Sequence, residues 1–73
     1  MTKTNNPPNP PDLDTAIRAR ILNRAHEINR DLIASLRIVD GDLGSGNHLG
    51  ALGGIEGIER KVREMRSLLL LLR

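Results

Sequence analysis

The sequence predicts an all-α fold, an antiparallel two-helix hairpin, with two hairpins pairing into a dimeric four-helix bundle. Three observations predict it. Ile55, Ile58, Val62, Met65, Leu69 and Leu72 recur at alternating steps of three and four, which places six aliphatic side chains on one seam of a helix. Residues 13–39 carry a second stripe of helical period, and a glycine-rich break separates the two. No segment alternates polar and apolar residues as a half-buried strand does.

Residues 1–11 read as a flexible Pro/Asn-rich tail, because proline removes backbone donors and disfavours helix in the residue before it. The spacings Pro7 to Pro10 and Pro8 to Pro11 are those of peptides that dock on aromatic grooves. The flanking basic residue at the usual offset is missing, so the tail reads as solvated.

Helix one is expected over 13–39. Asp12 follows a proline pair and is placed to cap it, with Asp14 favourable beside the positive helix end. The apolar stripe is Leu13, Ile17, Ile21, Ala25, Ile28, Leu32, Leu36 and Val39. Asp14 with Arg18, and Glu27 with Arg30, are spaced to pair along the helix surface. Residues 40–46, Asp-Gly-Asp-Leu-Gly-Ser-Gly, read as a turn, with Gly41 as the left-handed cap.

Helix two is expected over 47–72, with Asn47 as N-cap. Gly50, Gly53, Gly54 and Gly57 oppose that start, each by about 0.8–1 kcal/mol relative to alanine. Either they form a smooth ridge that lets the helices approach closely, or the loop extends to Gly54 and the helix begins at Ile55. The helical step through Leu49, Leu52 and Ile55 favours the ridge. Leu68 to Leu72 is apolar around the whole helix. Such an end demands burial on more than one side, against a second chain or under Leu13, Ala16 and Ile17.

Composition narrows the function classes. The chain has 73 residues and no cysteine, which removes disulfides and thiolate metal sites. It has no Phe, Trp or Tyr, so its core is aliphatic and it lacks the stacking platforms of single-strand nucleic-acid binders. A chain this short is marginal alone, and oligomerisation or docking is the support still open to it. The net charge of +2 is too small to mark a basic domain. No apolar run is long enough to span a bilayer, and with neither a secretory pattern nor cysteine the expected location is cytoplasmic.

No motif carries chemistry. Gly44-Ser45-Gly46 lacks the Lys-Ser/Thr ending of a phosphate loop and follows no strand. Asp40 and Asp42 open like a calcium loop, yet the glycine comes one position early and Ala51 stands where the closing glutamate belongs. His26 and His48 stand alone, without a nucleophile or a ligand set. Arg18, Arg24, Arg60 and Arg63 could build an anion site only if they pointed inward, and the interior stripes are aliphatic. The sequence therefore predicts no catalytic, cofactor or metal residues and no small-molecule substrate.

The expected function is that of a non-enzymatic protein-interaction module: a regulator, adaptor or inhibitor of a larger protein. It would act as a homodimer and toward another protein through Ile55, Ile58, Val62, Met65, Leu68, Leu69, Leu71 and Leu72, with Arg/Glu flanks setting register. The alternative is nucleic-acid binding by Arg60, Lys61, Arg63 and Arg66. Interleaved Glu56, Glu59 and Glu64 oppose it.

Overall fold

The computed structural model describes residues 10–73, with side chains from Leu13 onward. The expected tail lies outside the described residues except for Pro10 and Pro11. Two helices, α1 (Pro10–Gly44) and α2 (His48–Leu70), pack antiparallel as a hairpin. The ribbon is one helix thick, 12 Å of Cα extent in its thinnest direction.

Helix α1 differs from the sequence expectation at both ends. It begins at Pro10, so Asp12 lies inside the first turn rather than capping it. Proline is suited to a helix start, where its missing N–H has no partner to lose. At the other end α1 runs past Val39 through Asp40, Gly41, Asp42 and Leu43 to Gly44. Gly41 is helical. The left-handed residue is Gly46, at φ 78°.

The hydrogen bonds explain this. Asn47 N–H donates to the Asp42 carbonyl at 2.7 Å, and Gly46 N–H donates to the Leu43 carbonyl at 3.2 Å. Together they form a Schellman cap, which needs its glycine after the last helical turn. Two glycines inside the helix cost about 1 kcal/mol each. The extra turn carries the seam on from Val39 to half-buried Asp42 and brings the chain to the cap.

Asn47 serves both helices. It closes the cap of α1 and is the N-cap of α2, its side-chain oxygen accepting from Gly50 N–H at 3.0 Å. The glycines from Gly50 to Gly57 are helical, as the ridge reading requires. At the far end Arg18 Nη2 donates to the Leu72 carbonyl at 3.1 Å, so the first turns of α1 run beyond α2.

The helices meet along a strict heptad seam. On α1 it is Ile21, Ala25, Ile28, Leu32, Ser35, Val39 and Asp42; on α2 it is Ala51, Gly54, Ile58, Lys61, Met65 and Leu68, continued by Leu72 in the turn just past the helix end. Every buried or half-buried residue from Leu13 on belongs to this set, apart from Gly50 and Gly57. Ile28 is the most enclosed, at 2% exposure. The α1 stripe is therefore corrected at three positions: Leu13 and Ile17 are exposed, and Ser35 takes the seam where Leu36 is 51% exposed.

Candidate protein-interaction face

The seam defines the surfaces on either side of it. Let Ala25, Leu32, Val39, Ala51, Ile58, Met65 and Leu72 be heptad positions a, and their seam partners positions d. In an antiparallel pair, equivalent flanking positions of the two helices fall on the same side of the ribbon, with g beside g and e beside e. The ion pair between Arg24 and Glu64, both at g, fixes one side, with Arg24 Nη2 3.1 Å from Glu64 Oε2. Arg24 also reaches Glu27 at 3.2 Å. The hydrogen bond to Glu64, and then that to Glu27, hold the Arg24 guanidinium above its ordinary pKa.

The opposite broad face is apolar. Its e positions are Leu22, Asn29 and Leu36, followed by Leu43, on α1, and Ile55, Val62 and Leu69 on α2. Ile33 and Leu52 flank them at b. These aliphatic residues are exposed, Ile55 at 38% and Val62 and Leu69 at 43% each. A groove of about 260 Å³ lies among Val62, Met65, Arg66, Leu69 and Leu70. Val62, Met65, Arg66 and Leu69 stand at i, i+3, i+4 and i+7, the four corners of a hole that accepts one side chain of a packed helix.

Cross-strand landmarks set the register of this face. Arg18 reaches Leu72, Arg24 reaches Glu64, and Val39 lies against Gly54. By that register Leu22 is level with Leu69, Asn29 with Val62, and Leu36 with Ile55. The face is a ladder of three rungs, with an asparagine in the middle one.

The eight residues expected to form the interface divide into two groups. Ile58, Met65, Leu68 and Leu72 are half-buried in the hairpin's own seam. Ile55, Val62 and Leu69 lie on the e face, and exposed Leu71 lies at g on the ion-paired side. The sequence reading missed Leu22, Leu36 and Leu43. The signal is their seven-residue spacing through Asn29, masked because Leu36 also continues the helical period of the inner stripe. Leu13 and Ile17 are exposed and do not cover the leucine end of α2.

The basic cluster divides as well. Lys61 is half-buried at a d position, while Arg60, Arg63 and Arg66 are exposed on the outer edge of α2, interspersed with Glu56 and Glu59. Among the described residues, no group of His, Cys, Asp and Glu is placed to hold a metal ion. No helix there is long and apolar enough to cross a membrane.

No family model, curated protein or solved structure matches the chain.

Proposed function

We propose that this protein is a non-enzymatic helical protein-interaction module that works as a homodimer: two hairpins packed face to face as a four-helix bundle. The observation that carries the reading is the asymmetry of the ribbon. One broad face holds aliphatic rows on both helices; the other holds the Arg24–Glu64 pair, with exposed Ile17 and Ile38 in the same row as Arg24 but no matching row on α2. Among the described residues, the large buried side chains are Ile28, Leu32 and Val39, beside two alanines. So thin a core is weak support for a chain of this length, and burying the apolar face adds a second one. A regulator, adaptor or inhibitor would use this bundle, or exchange one hairpin for helices of a larger protein.

The test is molar mass by light scattering over a dilution series, with Val62→Asp as the comparison. The expected result is a dimer that the substitution dissociates while helicity at high protein concentration is largely retained. A wild-type chain that stays folded and monomeric at every concentration would refute the homodimer.

A further inference from the structure

The three-rung ladder is symmetric about its middle rung, and that symmetry specifies how a second copy sits. Leu22 and Leu36 lie one heptad either side of Asn29, and Ile55 and Leu69 lie one heptad either side of Val62. Asn29 and Val62 are level with each other. A two-fold axis running across the face through Asn29 and Val62 therefore superposes like on like. Leu22 meets Leu36 of the second copy, Ile55 meets Leu69 of the second copy, and Asn29 and Val62 each meet their own equivalents.

We infer that the occupant of the apolar face is a second copy of this chain, seated about that axis with the two turns at opposite ends of the bundle, and that Asn29 selects this arrangement. The inference rests on the homodimer proposed above.

The face of each copy carries eight exposed aliphatic side chains, 38–62% exposed, and pairing covers both sets at once, the kind of apolar contact on which standard interfaces of about 1,200–2,000 Å² are built. An asparagine carries both an amide donor and a carbonyl acceptor, so two facing Asn29 side chains satisfy each other reciprocally. In the other face-to-face arrangement, with both turns at one end, α1 lies over α2 of the second copy and Asn29 faces Val62. That contact leaves the amide enclosed without a partner, which is costly. A polar residue at one interface position of a coiled coil sets register and number of chains in just this way.

The charges agree. At the outer flank of α2, the two-fold brings Glu59 level with Arg66 of the second copy, an opposite-charge pair repeated twice in the dimer. The same axis brings Ile55 of the second copy to Leu69, at the edge of the groove lined by Val62, Met65, Arg66 and Leu69.

The chain has no cysteine, so single cysteines report contact without background. Side chains on a two-fold axis lie within disulfide reach of their own equivalents. Under mild oxidation, Asn29→Cys and Val62→Cys are each expected to link to themselves as covalent dimers. Leu22→Cys alone and Leu36→Cys alone are expected to stay mostly unlinked, while an equimolar mixture of the two links. Circular dichroism checks that each variant keeps its helicity; if Asn29→Cys does not, Val62→Cys decides on the same axis. A wild-type dimer in which Asn29→Cys links to Val62→Cys but not to itself would place the turns together and overturn the arrangement, leaving the homodimer standing. A monomer by light scattering, with no variant linking, would overturn both. Asn29→Leu separates the role of the amide from its position: the expected outcome is at least tenfold tighter association with loss of a single species. An unchanged affinity and a single unchanged dimer would show that the amide selects nothing.

Discussion

A Cβ built on Gly54 would lie 2.6 Å from Cγ2 of Val39, closer than any relaxed contact, so the two helices approach at this rung because residue 54 has no side chain. At the adjacent Gly53, a Cβ meets nothing within 4 Å. Two neighbouring glycines in the same helix therefore answer the same substitution with opposite sign. Gly53→Ala gains helix propensity alone and should stabilise by about 0.8–1 kcal/mol. Gly54→Ala gains as much but forces the seam open, at a cost of about 1–3 kcal/mol, and should destabilise on balance. Thermal melts of the two variants at matched concentration check this, with the wild-type midpoint expected between them.

The turn makes a second prediction. Asn47 accepts from Gly50 N–H and donates its own backbone N–H to Asp42. Asn47→Ala removes the side-chain cap and should cost about 1 kcal/mol in a denaturant titration. Gly46→Ala should cost about 1–2 kcal/mol, because the left-handed φ of 78° crowds a Cβ against the following carbonyl. Gly41→Ala should stabilise instead, since Gly41 is helical with open space around it. A destabilised Gly41→Ala beside a neutral Gly46→Ala would restore the sequence-based assignment of the cap to Gly41.

These turn residues show how far the sequence could be read. The hairpin was legible because two helical stripes and one glycine-rich break leave few other packings. The end of α1 was not, because Gly41 and Gly46 are equally good caps in isolation, and the choice between them depends on where the seam stops. The α2 seam was half legible for a related reason. Ile58, Met65 and Leu72 border two overlapping heptad lines. Ile55, Val62 and Leu69 make the more apolar one, and the sequence pointed there. The hairpin instead uses Gly54, Lys61 and Leu68, since Gly54 allows the close approach that Ile55 would block. Packing geometry, invisible in hydropathy, assigned the better aliphatic line to the outer face.

Arg24 is the electrostatic link across the hairpin, and its behaviour with pH has a definite sign. Its folded pKa is raised by the hydrogen bonds to Glu64 and Glu27. A base whose pKa is raised on folding contributes in full below its unfolded pKa and loses that contribution only as pH rises through the folded value. For arginine that window lies beyond the alkaline end of ordinary titrations. The melting difference between wild type and Arg24→Gln should therefore be flat from about pH 6 to pH 10. It should be small, and smaller still at about 1 M salt, because the pair is solvent-exposed. A step in that difference between neutral and alkaline pH would assign the coupling to another group.

Lys61 and Val62 are adjacent in sequence but lie on different surfaces, which gives a fourth test. Lys61 is half-buried in the internal seam near the level of Ile28, and Val62 is at the middle rung of the apolar face. Replacing the lysine with leucine puts aliphatic surface where the hairpin closes on itself. Lys61→Leu should raise stability by about 1 kcal/mol without changing the mass of the assembly. Val62→Lys should leave the internal seam intact and weaken association. Equilibrium sedimentation and thermal melts, run on the same samples, separate the two effects. A Lys61→Leu variant that changes oligomer mass would mean that position 61 faces the second chain.

The leucine end of α2 is the most demanding case, because the sequence spacing alone puts Leu69 and Leu72 on one seam. Leu72 lies in the hairpin's own seam, with its carbonyl held by Arg18, whereas Leu69 is on the outer face beside the groove. A carboxylate at 72 must enter a half-buried apolar contact and loosens the hairpin itself; a carboxylate at 69 remains hydrated in the separated chain and opposes only the dimer. Leu72→Asp should therefore lower the melting point at every protein concentration. Leu69→Asp should make the melting point concentration-dependent over a range where the wild type is fully associated. Should both substitutions act alike in sedimentation and in melting, the division between an inner seam and an outer face would be wrong, and α2 would present one undivided surface to whatever covers it.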